Sequence, residues 1–113
     1  MKAWSFLGLA LVCAALAGCG GGSGPNSRND LPDALTCIRH KGLPARQNGT
    51  DTIQVGDPTS GPRIRFFLTG GEAEAAQFEG REEGSEQIGA SLLYVRQASD
   101  DTLKDVENCL DSL

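Results

Sequence analysis

The chain has 113 residues, with 10 Lys and Arg against 15 Asp and Glu and a formal net charge of −5 at pH 7. This acidic balance disfavours binding to nucleic acid and provides no polybasic patch for anionic lipids. The length allows one small domain, which buries only about 60% of its unfolded surface. We therefore expect the fold to need an additional covalent stabiliser.

The first eighteen residues have the organisation of an export signal. Lys2 supplies a positive charge, and the run from Ala3 to Ala15 is apolar and uncharged. A membrane-spanning helix needs about 20 apolar residues, and this run gives way to glycines before it reaches that length. We predict a removable signal peptide over 1–18 instead of a permanent membrane span.

The tetrad Leu16-Ala17-Gly18-Cys19 directly follows the apolar run. It resembles the lipobox of bacterial lipoproteins, in which a Leu and two small residues precede an obligatory Cys. The resemblance implies that Cys19 carries fatty acyl chains such as palmitate, becomes the first residue of the mature chain and anchors it to the bacterial cell membrane or envelope, since two acyl chains suffice for stable attachment. An ordinary secretory signal with a chance Cys at its cleavage site is the alternative.

The segment 19–29 is rich in Gly and Ser, so we predict a flexible tether there and a folded domain over 30–113. Once Cys13 leaves with the signal and Cys19 is acylated, Cys37 and Cys109 are the remaining thiols. Disulfides persist outside the cytoplasm, and an even pair in a small exported domain is typical of one disulfide. We predict a Cys37–Cys109 disulfide.

The first helix is predicted over 30–41, because apolar residues recur at helical spacing from Leu31 to Ile38. Its end is marked by Gly42, which favours the left-handed conformation of a Schellman motif with Ile38 and Leu43 as the apolar pair. Basic residues in the last turn favour the same end point, because they interact well with the helix dipole.

Strand and turn patterns follow the first helix. Asn48-Gly49 is a turn signal between two extended runs, 43–47 and 52–55, and either or both could form a strand. The clearest strand is 63–69, where apolar and polar residues alternate. The number of strands between residues 43 and 69 stays open.

The remaining elements are a helix, a loop and a strand. A short Ala-rich helix is predicted over 72–79, with Ala75 and Phe78 turned inward. The segment 81–87 is interpreted as a charged loop. The segment 88–96 is interpreted as a second strand that is apolar on both faces and therefore central.

The last helix is capped by Ser99 or Asp100. The order α-β-β-α-β-α predicts an α+β domain with a small, mainly antiparallel sheet of about three strands and both terminal helices on one face. This order is loosely similar to small uncharacterised bacterial lipoproteins with a Cys in an early helix and another in a C-terminal helix, a likeness that implies no activity. The final helix is expected to present one apolar stripe: Leu103, Val106, Leu110 and Leu113.

One constellation suggests metal binding. Cys37 and His40 lie three residues apart on the first helix, and Cys109 could supply a third ligand. The same cysteines are more simply explained as a disulfide, and a positive His40 is favourable at a helix C-terminus. A metal- or small-ligand-binding lipoprotein that uses these three residues is the alternative to a non-enzymatic envelope protein.

The sequence contains no catalytic motif. A nucleophilic triad would have to use the single His40, and no Ser stands in a Gly-x-Ser-x-Gly elbow. The paired acids of the chain are typical of solvated surface. We therefore expect neither an enzyme nor a cofactor.

The outer side of the clearest strand is the best candidate for binding. Arg63, Arg65 and Phe67 could form a cationic and aromatic strip there, if helices cover the opposite face. Ordinary solvent-facing strand residues show the same pattern. We expect a protein or peptide partner at this surface, and attachment to the membrane through the lipid on Cys19.

Overall fold

A computed structural model describes residues 24–80 and 84–113. After a 3-10 turn, Arg28–Asp30, it contains the helices α1 (Leu31–His40), α2 (Gly70–Glu79) and α3 (Asp100–Asp111) and the strands β1 (Ala45–Asn48), β2 (Thr52–Val55), β3 (Arg63–Phe66), β4 (Ser85–Ile88) and β5 (Ser91–Tyr94). Within these ranges no helix has the length and apolarity required to cross a bilayer. The predicted signal peptide and lipid attachment at Cys19 lie outside the described residues.

The five strands form one antiparallel sheet in the order β1-β2-β3-β5-β4. β3 is therefore central, and β1 and β4 are the edges. In the register, Ile53 of β2 lies opposite Ile64 of β3, which in turn lies opposite Leu93 of β5. All three side chains are fully buried, so this row forms the middle of the core.

The prediction of about three strands in the order α-β-β-α-β-α is wrong. Both runs around Asn48-Gly49 are strands, and the predicted loop 81–87 contains most of β4. The predicted strand 88–96 is divided by a turn at Gly89-Ala90. β4 was missed because it is a largely exposed edge strand, whose polar residues lack the alternation that marks a half-buried strand.

The turn between β4 and β5 depends on Gly89. Its φ is +58°, and a Cβ at this position would collide with the carbonyl oxygen of Pro25. Only glycine adopts such a backbone at so close an approach without strain. The turn also fixes the N-terminal segment, because the Ala90 N–H donates to the Pro25 carbonyl at 2.7 Å.

α1 and α3 pack side by side on one face of the sheet. The predicted disulfide is confirmed: Cys37 of α1 is bonded to Cys109 of α3, with their Cα atoms 5.7 Å apart. The core on this face is apolar and comes from both helices and four strands: Leu31, Ala34, Ile38, Ile53, Val55, Ile64, Phe66, Ile88, Leu93, Val106, Cys109 and Leu110.

The ends of these two helices are set by local sequence. The predicted Schellman motif of α1 is confirmed, since the Gly42 N–H donates to the Arg39 carbonyl at 3.0 Å and the Leu43 N–H to the Ile38 carbonyl at 3.4 Å. The hydroxyl of Ser99 caps α3 by accepting from the Thr102 N–H at 3.3 Å. The predicted apolar stripe stops short of Leu113, which is exposed beyond the end of α3.

α2 lies on the opposite face of the sheet and packs mainly against β4 and β5. A small cluster forms beneath it, in which Phe67, Ala73 and Leu92 are buried. The prediction that Ala75 and Phe78 turn inward is wrong, because Ala73 occupies the inner side of α2 and Phe78 is 75% exposed. α2 leaves the β1, β2 and β3 half of this face uncovered.

The chain enters the domain beside the end of β3. The Gly24 N–H donates to the Leu68 carbonyl at 3.1 Å, and the Arg28 N–H donates to the Phe67 carbonyl at 2.8 Å. Asn26 and Ser27 are buried between these bonds. The segment 19–29, predicted to be a tether, is described only from Gly24, and from there it is held against the sheet.

Candidate functional site

The uncovered half of the sheet contains a polar cavity of about 450 Å³. Strand residues alternate between the two faces, so Arg63 and Arg65 point away from the core that Ile64 and Phe66 join. The cavity is lined by side chains of β1, β2, β3, β5 and the β1–β2 turn: Asn48, Asp51, Thr52, Arg63, Arg65 and Tyr94.

Arg65 is held between a carboxylate and an aromatic ring. Its Nε lies 3.5 Å from Oδ2 of Asp51, and its Cζ lies 4.9 Å from the centroid of the Phe67 ring. Asp51 is itself fixed, because its carbonyl accepts from the Phe66 N–H at 2.7 Å and its Oδ1 accepts from the Thr52 hydroxyl at 2.9 Å. The ion pair is partly exposed and contributes at most about 1 kcal/mol, so a ligand carboxylate can share the guanidinium.

Arg63 is positioned by a buried amide. Its Nε donates to Oε1 of Gln54 at 3.1 Å, and the Gln54 side chain is completely buried. The Gln54 Nε2 group faces four backbone carbonyls at 2.9 to 3.3 Å, which assigns the amide nitrogen to the loop and the oxygen to Arg63. These carbonyls belong to Val55, Asp57, Gly61 and Pro62.

The loop 56–62 that Gln54 contacts is fixed from two further sides. Arg96 donates to the carbonyls of Pro58, Thr59 and Gly61. The Asp57 carboxylate accepts from the Thr59 hydroxyl, an interaction that lowers the pKa of Asp57, and backbone N–H groups of the loop add to it. Arg63 is therefore supported by a loop with its own hydrogen-bond network.

Charge is unevenly distributed over the described part of the chain. Arg46, Arg63 and Arg65 lie on the β1–β3 half of the sheet. Partial burial raises the pKa of Glu86 on β4, and the neighbouring acids Glu107 and Asp111 raise it further. Most carboxylates of the described residues belong to α2, β4 and α3: Glu72, Glu74, Glu79, Glu86, Asp100, Asp101, Asp105, Glu107 and Asp111.

The structure brings two of the three predicted binding residues to the cavity. Arg63 and Arg65 line it, whereas Phe67 is 7% exposed and supports Arg65 from below. The sequence alone does not identify Gln54 and Tyr94 as part of this site. They lie beside Arg63 only because β2 and β5 pair with β3 on either side. No local signal distinguishes Gln54 from an ordinary polar strand residue.

The residues of the metal hypothesis are arranged differently. Both sulfur atoms that it requires are bonded to each other in the Cys37–Cys109 disulfide, and His40 is exposed at the end of α1. Over 24–80 and 84–113, no group of three or more His, Cys, Asp or Glu side chains is placed to hold a metal ion.

The cavity is suited to an anionic group. A guanidinium can donate two parallel hydrogen bonds to a carboxylate or phosphate, and Asn48 and Tyr94 add polar groups to the same wall. Two residues of a strand that point the same way are about 7 Å apart, so Arg63 and Arg65 match carboxylates at alternate positions of an extended peptide. No protein-family model, curated protein or solved structure matches this chain.

Proposed function

We propose that this protein is a lipid-anchored component of the bacterial cell envelope whose disulfide-closed, non-enzymatic domain binds an acidic peptide segment of a partner protein. The observation that carries the binding proposal is the pair Arg63 and Arg65, two cationic groups on one strand that are each held by a separate polar partner within a cavity. Arginines arranged in advance lose less side-chain entropy when a carboxylate binds.

The proposed anchor is supported by the lipobox-like tetrad that ends at Cys19. The disulfide between Cys37 and Cys109 fits a chain that folds outside the cytoplasm, where such bonds persist. An anchored domain needs no apolar surface of its own to stay at the membrane. The exposed cationic cavity is then free to bind a partner.

The binding proposal is tested with the full-length chain, expressed in a bacterial host and purified in neutral detergent. The probe is the acetylated peptide amide Gly-Glu-Gly-Glu-Gly, carrying a fluorophore for anisotropy. Arg63→Gln and Arg65→Gln are each expected to weaken binding by about 10-fold, because a hydrogen bond to a charged group contributes about 1.5 kcal/mol or more. The peptide Gly-Gln-Gly-Gln-Gly should not bind.

Lys104→Gln is the matched control, since it removes one positive charge from the exposed side of α3. Its affinity for the acidic peptide should equal that of the unmodified protein. Equal weakening by Lys104→Gln and Arg63→Gln would contradict a specific site, because it would show only general attraction between charges.

The anchor is tested separately by intact-mass spectrometry of the protein recovered from the envelope fraction. The expected mass is that of a chain beginning at Cys19 with lipid attached. Cys19→Ala should retain the first eighteen residues and carry no lipid. A lipid that persists in Cys19→Ala, or a mature chain without lipid, would contradict the proposal.

A further inference from the structure

The outer side of α2 carries an exposed apolar patch, which we define as Ala75 and Phe78. Phe78 is 75% exposed, and Leu68, which precedes the N-cap Thr69 of the helix, is 42% exposed. A shallow groove of about 390 Å³ runs beside Phe78, lined by residues of α2: Gly71, Glu74, Ala75, Phe78 and Glu79. Nothing in the described part of the chain covers Phe78, although the small cluster of Phe67, Ala73 and Leu92 lies directly beneath the same helix.

The entry point of the chain lies at the N-terminal end of this helix. The Gly24 N–H donates to the carbonyl of Leu68, and a Cβ on Gly24 would lie 3.6 Å from the backbone nitrogen of Gly70. The Pro25 carbonyl also accepts from the Ala90 N–H, so Gly24 is a fixed point on the surface of the domain.

The distance between this fixed point and the proposed lipid is short. Gly24 is five residues after Cys19, and five residues span at most about 17 Å even when fully extended. The ten residues of α2 extend about 15 Å from the same end. An acylated Cys19 therefore keeps the beginning of α2 close to the bilayer, and Phe78 lies within one helix length of that point.

From this geometry we infer that the apolar patch of α2 docks on the surface of the bilayer that holds the lipid of Cys19, with Phe78 at the headgroup level. The inference rests on the proposed lipid anchor. Helices that lie on a membrane bury Trp, Phe and Leu side chains at this level, and attachment in cis gives the patch a high effective concentration at the surface. Glu74 and Glu79 flank the groove, so the preferred surface is neutral and not anionic.

The experiment uses a single-tryptophan reporter. The chain has one Trp, Trp4, which lies in the predicted signal, so the mature protein has none. Phe78→Trp places a reporter in the patch, and Leu113→Trp places a control at the exposed end of α3, on the other face of the sheet. Each lipidated variant, with the predicted signal removed, is incorporated into phosphatidylcholine vesicles, with and without brominated acyl chains that quench tryptophan on contact.

The fluorescence of Trp in Phe78→Trp is expected to fall at least about two-fold in brominated vesicles, because the patch reaches the acyl boundary, whereas Leu113→Trp should show no such loss. Flotation of the vesicles is measured on the same samples. Protein that fails to float overturns the anchor and the docking together. If the protein floats but brominated lipid quenches Phe78→Trp no more than Leu113→Trp, the docking alone is overturned.

Two other occupants of the patch give distinguishable results. If a second copy of the chain covers it, the reporter in Phe78→Trp is protected from aqueous acrylamide in proportion to protein concentration and is not quenched by brominated lipid. If a protein partner covers the patch in the cell, acrylamide should quench the reporter on vesicles that lack this partner. Either result overturns docking on the bilayer.

Discussion

The two faces of the sheet differ in polarity and in how far helices cover them. The face under α1 and α3 is apolar, closed and crosslinked by Cys37–Cys109. On the other face, α2 covers β4 and β5, and the half that α2 leaves open is polar. Adjacent residues of β3 show the contrast, since Ile64 is fully buried and Arg65 lines the cavity. Stability concentrated on one face leaves the other face free to hold exposed cationic groups.

The same difference appears across the strands. On the closed face, the row of Ile53, Ile64 and Leu93 is fully buried. Burial of each such side chain contributes about 1.5 to 3 kcal/mol to the stability of the fold. On the open face, Gln54 lies opposite Arg63 and holds it by a hydrogen bond. The first row stabilises through apolar area, whereas the second positions a polar group.

The largest expected effect comes from the crosslink of the closed face. In Cys37→Ala/Cys109→Ala the free energy of unfolding should fall by about 4 kcal/mol, because the bond restrains a long loop in the unfolded chain, here between residues 72 apart in sequence. Urea denaturation measures the change. Reduced wild-type protein should lose a similar amount.

Thiol counting provides the control for this prediction. When the oxidised protein is denatured without reductant, no free thiol should be detected at Cys37 or Cys109. Two reactive thiols, protected by a bound metal until denaturation, would favour the metal-binding alternative over a structural disulfide.

The next effect compares neighbours on β3. Ile64→Ala should destabilise the fold by about 3 kcal/mol, because it removes buried apolar volume and leaves a cavity. Arg65→Ala should cost less than about 1 kcal/mol, since its ion pair with Asp51 is partly exposed. Thermal and urea unfolding of both variants provide the measurement, and equal losses would show that the two faces contribute alike.

A third effect concerns the amide that supports the open face. Gln54→Met preserves the approximate shape of the side chain but removes its donor, so we expect a loss of about 2 kcal/mol from carbonyls left without a buried partner. Binding of the acidic peptide should weaken too, because Arg63 loses the acceptor of its Nε–H.

Gln87→Met is the control for Gln54→Met. Gln87 also donates to two backbone carbonyls, those of Gly70 and Gly89, but it is exposed and water can replace it. Its loss should stay below about 1 kcal/mol, with peptide affinity unchanged. A larger loss for Gln87→Met than for Gln54→Met would contradict the supporting role of the buried amide.

The smallest effect is electrostatic. The pKa of Glu86 is raised above its ordinary value of 4.5 by partial burial and then by Glu107 and Asp111, so the ionised carboxyl destabilises the fold at neutral pH. Glu86→Gln should therefore stabilise the protein at pH 7 by about 0.3 kcal/mol, a value that allows for solvent screening.

The pH dependence of Glu86→Gln has a definite sign. The advantage of the variant should be full above the folded-state pKa and should vanish as the pH falls through that pKa to below 4.5, because wild-type Glu86 is then protonated in both states. Glu74→Gln removes the same charge from the exposed side of α2 and serves as control. A constant advantage from pH 3 to pH 7 would exclude this origin.

Local signals of the sequence determine much of the closed face. The helical spacing from Leu31 to Ile38, the left-handed Gly42 and the cap at Ser99 each depend on a few neighbouring residues, and each is found in the structure. The disulfide is predicted by counting the thiols that would remain if the signal were removed and Cys19 acylated. Such features need no knowledge of which strands pair.

The open face depends on pairing that no local pattern shows. β4 has polar residues on both sides, and the role of Gln54 appears only when β2 lies beside β3. Arg63 and Arg65 were identified because alternation places them opposite Ile64 and Phe66. The alternation predicts a surface position for Phe67, but α2 covers it, and helix placement across a sheet is a tertiary property.

NMR of the arginine Nε–H groups in the ¹⁵N-labelled chain, titrated in detergent with the peptide Gly-Glu-Gly-Glu-Gly, tests the proposed binding face most directly. The signals of Arg63 and Arg65 should shift together and saturate, while those of Arg39 and Arg96 stay in place. Shifts distributed over all arginines, or none at Arg63 and Arg65, would contradict the claim that the open face of the sheet is the binding face.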